Sequence, residues 1–438
     1  MLFQKILVAR RLSVKEACDR LITRWKQLWE YKIFRYAVFV HLSFFTIACI
    51  LVFFDVQNDF EIFHKAGQVF LDDLSNLYDQ FNYTINGRQW DFRYFPLSVI
   101  FFLPFSLLDF KLAFILFNVV NLLLNALVCI ILFKLIHLIQ NDDGEKNEKR
   151  IITYISIYLM SALHVFNYVL GQINLIVSVL VLSSLYILLK YDNLKWQLIG
   201  SVILGITVIV KPITIFILPF LILMKFNKTT KKFHLDLKLS LIRIIGFLIP
   251  VSLNIFFFIT IPRLFNGFWE TNFSGTNPVD INFSFSITKL IINFCYIYFG
   301  SFNQLLILFI VLAIIGPLAM IFYLLGNQKK DFLTYGYLFG TLVMLLVYYD
   351  SWNHHLLVLT PLIILIIFNQ PEDSEISRKY MKPPFYLLCF FDLPFLGLWY
   401  LTRDFFPFNF AFTVGLILIF YGISLYSINN ELTMKSSK

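Results

Sequence analysis

The stretch that decides the fold is KLAFILFNVVNLLLNALVCIILFKLIH, residues 111–137. Its only charged side chains, Lys111 and Lys134, stand close to its two ends. A helix of about 20 apolar residues crosses the hydrocarbon layer of a bilayer, so this run predicts a transmembrane helix. A membrane β-barrel would need strands in which apolar and polar residues alternate, whereas this run is continuous.

Similar apolar runs recur along the 438-residue chain, which is 59% hydrophobic and only 14% charged. Soluble domains are about a quarter charged, so these runs exceed what a soluble core needs. The runs occupy approximately residues 36–54, 111–137, 151–169, 173–189, 197–210, 212–224, 239–260, 303–325, 332–349, 355–369, 384–402 and 408–428. Two shorter pieces, 95–108 and 286–300, fit interfacial, re-entrant or tilted segments. We therefore predict an all-α polytopic membrane protein with about twelve transmembrane helices, within a range of about 11–13.

Basic residues set the predicted orientation. The formal net charge is +9, and Lys and Arg cluster in short loops between the apolar runs. Such loops face the cytoplasm in membrane proteins, which explains the positive charge without a nucleic-acid partner. Both termini are then cytoplasmic. The predicted units are a tail at 1–35, one transmembrane domain at 36–428 with outer loops at 55–94 and 261–302, and a tail at 429–438.

The N-terminal tail is basic, and Leu21, Trp25, Leu28 and Trp29 fall at helical spacing within it. This pattern predicts an amphipathic helix on the inner membrane surface, and a soluble tail helix fits it equally well. The first thirty-five residues are too polar for a cleavable signal peptide. The five cysteines have no close pair and no metal-ligand spacing, so we expect no metal centre. Four of them lie in or beside apolar runs, where we expect small core side chains.

The predicted topology gathers polar residues on the outer face. Ionisable groups at the edge of a membrane are costly and are functional candidates by default. Simpler interpretations stay open: a solvated carboxylate, a lysine that reaches the headgroups, interfacial packing of histidines, or a turn cap. The candidates are Asp59, Glu61, Arg93, Tyr94, Gln172, Asn174, Lys211, Trp352, His354 and His355.

Together these residue types suit one chemistry. A lysine and histidines near the membrane surface could hold a phosphate, and a facing carboxylate could act as a general base. Fixed cations lower the barrier to departure of a phosphate leaving group. No motif for a resident cofactor or a nucleotide-binding loop is present. A divalent cation stays open, since Asp72 and Asp73 could bind one weakly.

Five segments, in order along the chain, resemble the polyprenol-phosphate-mannose-dependent mannosyltransferases of glycosyltransferase family 87. NDFEIFHKAGQVFLDDLSNLYD (58–79) is similar to the first outer loop, in which Asp-Phe opens a short helix and Leu-Tyr-Asp follows. RYFPLSVIFFLPFSLL (93–108) resembles a Tyr-Pro-Pro segment, with Phe95-Pro96 where the family often has two prolines. The other three resemble a Gly-Gln-x-Asn helix start, a Lys-Pro helix and a Trp-x-His segment: GQINLIVSVLVLSSLYIL (171–188), GITVIVKPITIFILPFLIL (205–223) and SWNHHLLVLTPLIIL (351–365).

The resemblance implies the GT-C membrane glycosyltransferase fold, a lipid-linked sugar donor and a catalytic aspartate, which maps to Asp59. The reaction that it implies moves a hexose, with mannose as the first candidate, from polyprenyl phosphate to an acceptor hydroxyl. The anomeric configuration of the sugar inverts in this hypothetical reaction. Four side chains would bind the departing phosphate and five would contact or position the substrates: Lys211, His354, His355 and Arg93; then Glu61, Tyr94, Gln172, Asn174 and Trp352. The implied partners are membrane lipids, the polyprenyl-phosphate sugar and a glycan or glycolipid acceptor.

Alternative functions remain at this stage. A polytopic transporter or lipid flippase would also carry polar groups in its membrane domain, although transporters place them near the midplane of repeated halves. A polysaccharide polymerase or ligase would carry one very large outer loop, which this chain lacks. A GT-C enzyme that uses another lipid-linked sugar, such as arabinofuranose, fits the same pattern. We expect a prokaryotic plasma membrane with the active site on the extracytoplasmic face, and an endoplasmic reticulum with the active site in the lumen is the alternative.

Overall fold

A computed structural model describes most of the chain. The described residues are 26–54, 56, 58–85, 88–140, 145–227, 232–273, 284–300, 303–326, 332–390, 406–407 and 410–429. The predicted tail helix falls mainly on residues 1–25, which lie outside this set together with Asp55 and residues 274–283. Residues 26–30, which include Leu28 and Trp29, are helical.

The described residues form helices joined by short turns. The α-helices are α1 Lys32–Leu51, α2 Phe60–Asp73, α3 Leu103–Ser106, α4 Phe110–Gln140, α5 Glu145–Leu159, α6 Leu163–Leu170, α7 Asn174–Lys190, α8 Leu194–Val210, α9 Leu237–Thr260, α10 Pro262–Phe273, α11 Ile287–Phe299, α12 Gln304–Gly326, α13 Leu333–Val347, α14 Leu356–Asn369, α15 Lys382–Phe390 and α16 Ala411–Asn429. The 3₁₀ turns are Val52–Phe54, Leu74–Asn76, Gln80–Tyr83, Pro96–Phe101, Pro212–Leu221 and Asn353–His355, and a π-turn covers Ser377–Met381.

Two antiparallel hairpins interrupt the helices. Strands β1 (Thr84–Ile85) and β2 (Arg88–Gln89) pair Thr84 with Gln89. Strands β3 (Met224–Asn227) and β4 (Lys232–Leu235) pair Met224 with Leu235. Each hairpin has only two strands and lies between helices, so the predicted all-α architecture holds.

Several helices have the length and composition of membrane spans. Four described helices are long and apolar enough to cross: Lys32–Phe54, Phe110–Gln140, Leu237–Thr260 and Gln304–Gly326. A fifth span results if Asn147–Leu159 and Leu163–Leu170, which meet at an angle of 45°, count as one. Shorter apolar helices of 10–17 residues accompany them, among them α7, α8, α11 and α13. The predicted polytopic membrane protein is confirmed, whereas the number of crossings and the side of the termini stay predictions.

Proline explains where a predicted run is not one α-helix. Residues 95–108 divide into a 3₁₀ turn that begins at Pro96 and the four-residue helix α3, which contains Pro104. The run at 212–224 is a 3₁₀ helix with Pro212 at its start and Pro219 inside it, and it ends before β3. Proline has no N–H to donate and clashes with the preceding turn, which disfavours a regular α-helix in these two runs. Helices α9, α12 and α14 each continue through one internal proline.

The centre of the bundle is formed by α13 and α14. Every residue of α13 is buried, and so is every residue of α14 except Asn369. A helix that is apolar on all sides belongs inside a protein or a membrane. In contrast, α9 and α12 expose large apolar side chains, among them Phe256, Ile259 and Phe309. The polar turns that carry the candidate residues meet at one end of this bundle, called here the site end.

Candidate active site at the site end of the bundle

Asp59 stands immediately before helix α2, as the resemblance implies. It occupies the N-cap position, yet its carboxylate caps no backbone N–H of the helix. The neighbouring Asn58 side chain accepts from the backbone N–H of Glu61 instead, at 3.2 Å. Because Asn58 takes over part of the capping, the Asp59 carboxylate is available to accept a hydrogen bond from Nε2 of Gln172.

The turn between α6 and α7 brings Gln172 to Asp59. Gly171 ends α6 with φ of 61°, in the left-handed region that glycine adopts without a Cβ penalty. A Cβ at this position would stand 2.5 Å from Cβ of Phe60 and 3.0 Å from Cε2 of Phe114. Glycine is therefore required twice, for the backbone conformation and for the close approach of α2. This approach places Gln172 beside Asp59.

Lys211 is a buried cation that follows helix α8. Its side chain is 4% exposed, and Nζ donates to Oδ1 of Asn174 at 2.6 Å. Pro212 begins the following 3₁₀ helix and prevents α8 from continuing past Lys211. Lys211 lies close enough to Asp59 to interact with its charge. Burial lowers the pKa of Lys211 well below its usual range, because it penalises the charged form, whereas the negative charge of Asp59 acts in the opposite direction.

The histidine pair belongs to the turn before α14. The rings of His354 and His355 lie 4.5 Å apart and perpendicular, and both side chains are buried. Both interact electrostatically with Lys211. The backbone N–H of Trp352 donates to Nδ1 of His355 at 3.3 Å. Since Nδ1 accepts here, the proton of neutral His355 is on Nε2.

The environment of Asp59 changes its acidity. Burial raises the pKa of the Asp59 carboxyl, because it penalises the charged form; the hydrogen bond from Gln172 and the positive charge of Lys211 act in the opposite direction. A carboxylate with a raised pKa is a stronger base than an exposed one. The two opposing groups favour the ionised form, which a general base requires.

Arg93 has carboxylate partners already. Its guanidinium pairs with Asp350 and, at 3.2 Å, with Asp91. Tyr348 and Tyr349 contribute to the electrostatics around it. These contacts tie the segment after β2 to the segment that leads into the histidine turn. Two carboxylates neutralise the guanidinium, which favours a structural role over free phosphate binding.

Two further predicted residues lie at the margin of this group. Glu61 forms an i,i+4 ion pair with Lys65 at 3.4 Å on the partly exposed side of α2. The Tyr94 ring packs edge-on against Phe63 at 5.1 Å and interacts electrostatically with Asp59. Hydrogen bonds and electrostatic interactions therefore connect Asp59, Gln172, Asn174, Lys211 and the two histidines, while Glu61 pairs with Lys65.

Sequence reasoning missed a polar row on α4. Asn118, Asn121 and Asn125 are buried inside the first apolar run considered above. Asn118 donates to the Tyr168 carbonyl in the last turn of α6, Asn121 donates to the Gln172 carbonyl in the α6–α7 turn, and Asn125 donates to His41. Their spacing of three and four residues, which places side chains on one helix face, was the available signal.

The comparisons with known proteins agree with this fold. No curated protein matches the chain. The family model for glycosyltransferase family 87 matches residues 92–348, which is more than half of the chain. The match contains Arg93, Gln172, Asn174 and Lys211, whereas Asp59 and the histidine turn lie outside it. Together with the apolar helices, this match shows that the chain is an integral membrane protein that belongs to glycosyltransferase family 87.

Proposed function

We propose that the protein transfers a hexose, with mannose as the first candidate, from a polyprenyl-phosphate donor to an acceptor hydroxyl at the outer membrane face. The observation that carries this proposal is the arrangement of Asp59, Gln172 and Lys211. A carboxylate oriented by an amide stands near a buried cation. A base and a phosphate-binding cation at one site are what displacement of a sugar phosphate requires.

The proposed reaction is a single displacement. Asp59 accepts the proton of the acceptor hydroxyl, and the hydroxyl oxygen forms a bond with the anomeric carbon. The bond between that carbon and the phosphate oxygen breaks, and its electron pair leaves with the polyprenyl phosphate. Attack opposite the leaving group inverts the anomeric configuration. A resident cofactor has no part in this proposal.

Lys211 is proposed to stabilise the leaving phosphate. Its ammonium is held by Asn174 and loses only one of three donors to that contact. His355 adds an Nε2–H donor, according to the tautomer that the Trp352 backbone N–H selects. Preorganised donors of this kind contribute about 10²–10³-fold to rate when they meet developing charge. Arg93 is proposed to hold the histidine segment in place through Asp350 rather than to bind phosphate.

The remaining predicted residues receive positioning roles in this proposal. Gln172 orients the base, since its amide donates to the Asp59 carboxylate. Asn174 orients Lys211. Tyr94 and Trp352 are proposed to contact the sugar or the acceptor from the rim, with Glu61 farther out beside Lys65. The lipid chain is proposed to lie between helices within the bilayer, on the extracytoplasmic side of a prokaryotic plasma membrane.

The test is transfer of radiolabelled mannose from polyprenyl-phosphate mannose in membranes that contain Asp59→Asn or wild type in equal amounts. Asparagine keeps the size of the side chain and removes the base, so we expect a loss of about 10²–10⁴-fold. Asp73→Asn is the matched control, because Asp73 caps an exposed turn at the other end of α2. Equal transfer by wild type and Asp59→Asn would assign the base to another residue. If the wild-type protein does not transfer mannose but does transfer another lipid-linked sugar, the donor is that other sugar.

A further inference from the structure

A polar column runs along one face of α4 inside the bundle. Its members Asn118, Asn121 and Asn125 follow one another by three and four residues, and all three are buried. The helix is otherwise apolar enough to span a membrane. Asparagine side chains inside a membrane helix bundle form hydrogen bonds across helices, so the groups that they contact show what the column holds in place.

Asn118 and Asn121 hold the turn that carries Gln172. Nδ2 of Asn118 donates to the carbonyl of Tyr168 at 3.1 Å, and Nδ2 of Asn121 donates to the carbonyl of Gln172 at 3.3 Å. The two carbonyls lie on either side of Gly171. The last carbonyls of a helix have no partner within it, so side-chain amides can determine how the chain leaves the helix. The column thereby fixes the backbone of the residue that orients Asp59.

Asn125, the third member of the column, contacts His41 on α1 and neither Tyr168 nor Gln172. His41 on α1 meets the Tyr168 hydroxyl through Nε2 at 2.8 Å, and Asn125 donates to the same nitrogen at 2.9 Å. Nδ1 of His41 lies 3.0 Å from the carbonyl of Leu159. A carbonyl only accepts, so Nδ1 carries the proton and Nε2 is the acceptor. Tyr168 is thus held by its carbonyl at Asn118 and by its hydroxyl at His41.

Stability alone does not account for this column. The Oδ1 atoms of Asn118, Asn121 and Asn125 and Oε1 of Gln172 are buried without a partner among the described residues. A buried polar atom without a partner destabilises the folded state, and apolar side chains of similar size would avoid that penalty. The column therefore fits a requirement of function better than a requirement of folding.

We infer that Asn121 is a positioning residue for the catalytic base: it fixes the Gln172 backbone so that the Gln172 amide stays on the Asp59 carboxylate. This inference rests on the proposed function for its consequence in catalysis, while the contact between Asn121, Gln172 and Asp59 can be tested without substrate. Asn125 is the matched control, since it is a buried asparagine on the same helix face that bonds to His41 and leaves the Gln172 carbonyl untouched.

The experiment compares Asn121→Leu with Asn125→Leu in the full-length protein in lipid nanodiscs. A hydrophobic carbodiimide reacts with protonated carboxyls, so the pH dependence of Asp59 labelling, read by peptide mass spectrometry, reports its titration without substrate. Asp59→Asn provides the unlabelled control. If Asn121→Leu displaces Gln172, the ionised Asp59 carboxylate loses the hydrogen bond from the Gln172 amide, which favours its protonated form. Asn121→Leu should therefore move the labelling midpoint up by about 0.5–1 pH unit. Asn125→Leu should leave it unchanged.

The double variant Asn121→Leu/Gln172→Leu decides whether Asn121 acts through Gln172. If it does, Gln172→Leu alone moves the midpoint fully and the second substitution adds nothing. Additive shifts, an unmoved midpoint in Asn121→Leu, or an equal shift in Asn125→Leu would overturn the inference. The other titratable groups that interact with Asp59, Lys211 and Tyr94, are unchanged in all variants.

A transfer assay on the same preparations separates this inference from the proposed function. Asn121→Leu should lower kcat about tenfold and leave KM for the lipid-linked sugar within about twofold, because a misplaced base affects the reacting state more than binding. If Asn121→Leu shifts the labelling midpoint but Asp59→Asn keeps full transfer activity, the positioning contact is supported and Asp59 is refuted as the base.

Discussion

Substitution of Gly171 by alanine tests how tightly the α6–α7 turn sets the position of Asp59. The new Cβ would stand 2.5 Å from Cβ of Phe60. Carbon atoms pack best at about 3.5–4.0 Å, so Phe60 must retreat by about 1–1.5 Å. Asp59 directly precedes Phe60 and must move with it. A misplacement of about 1 Å in a reacting group can cost about 10²-fold in rate.

The same substitution has a calculable effect on stability. Alanine in the left-handed region costs about 1–2 kcal/mol, and overpacking a buried contact adds about 1–3 kcal/mol. We therefore expect Gly171→Ala to lower the free energy of unfolding by about 2–5 kcal/mol, provided that the protein still folds. Thermal unfolding in detergent, followed by a thiol-reactive dye, measures the loss, and the mannose-transfer assay measures kcat/KM.

Gly300 supplies the control for this prediction. It also has a positive φ, 91°, but a Cβ there would meet nothing within 4 Å in the described part of the chain. Gly300→Ala therefore strains the backbone without displacing a neighbour, and transfer activity should stay within about twofold of wild type. Equal transfer rates for the Gly171 and Gly300 variants would refute the argument that Phe60 contact positions the base.

Two further predictions follow from the electrostatics of the site. Because burial raises the pKa of the Asp59 carboxyl, kcat/KM should reach a plateau at high pH and fall at low pH, with a midpoint above the range of exposed carboxyls. Lys211→Met removes a charge that favours the ionised form of Asp59, so it should move this midpoint to higher pH. An unchanged midpoint would show that Lys211 does not act on Asp59. Arg93→Gln and Asp350→Asn each break the ion pair of Arg93, so each should lower the free energy of unfolding, with a coupling of about 0.5–3 kcal/mol in a double-mutant cycle. The KM for the donor should change little in both variants. A large rise in KM for Arg93→Gln alone would instead favour phosphate binding by this arginine.

The sequence by itself was sufficient to predict an all-α polytopic membrane protein. Long apolar runs predict helices because lipid offers no partner to backbone polar groups, and this physics is local to each run. The predicted run at 239–260 corresponds to α9 at Leu237–Thr260, and the run at 303–325 to α12 at Gln304–Gly326. Prolines likewise indicated the break at Lys211-Pro212. Candidate residues could be recognised because polar groups are conspicuous beside apolar runs.

Which of those groups meet was decided only by the tertiary structure. Gln172 and Asp59 are 113 residues apart in the chain, and Arg93 and Asp350 are 257 apart. The spacing of the α4 asparagines indicates a shared face but not the carbonyls that they bind. Periodicity describes one helix at a time, whereas a hydrogen bond between helices depends on how far each is rotated and how closely they pack. At Gly171 that approach is set by the absence of a single Cβ, a contact that no local pattern encodes.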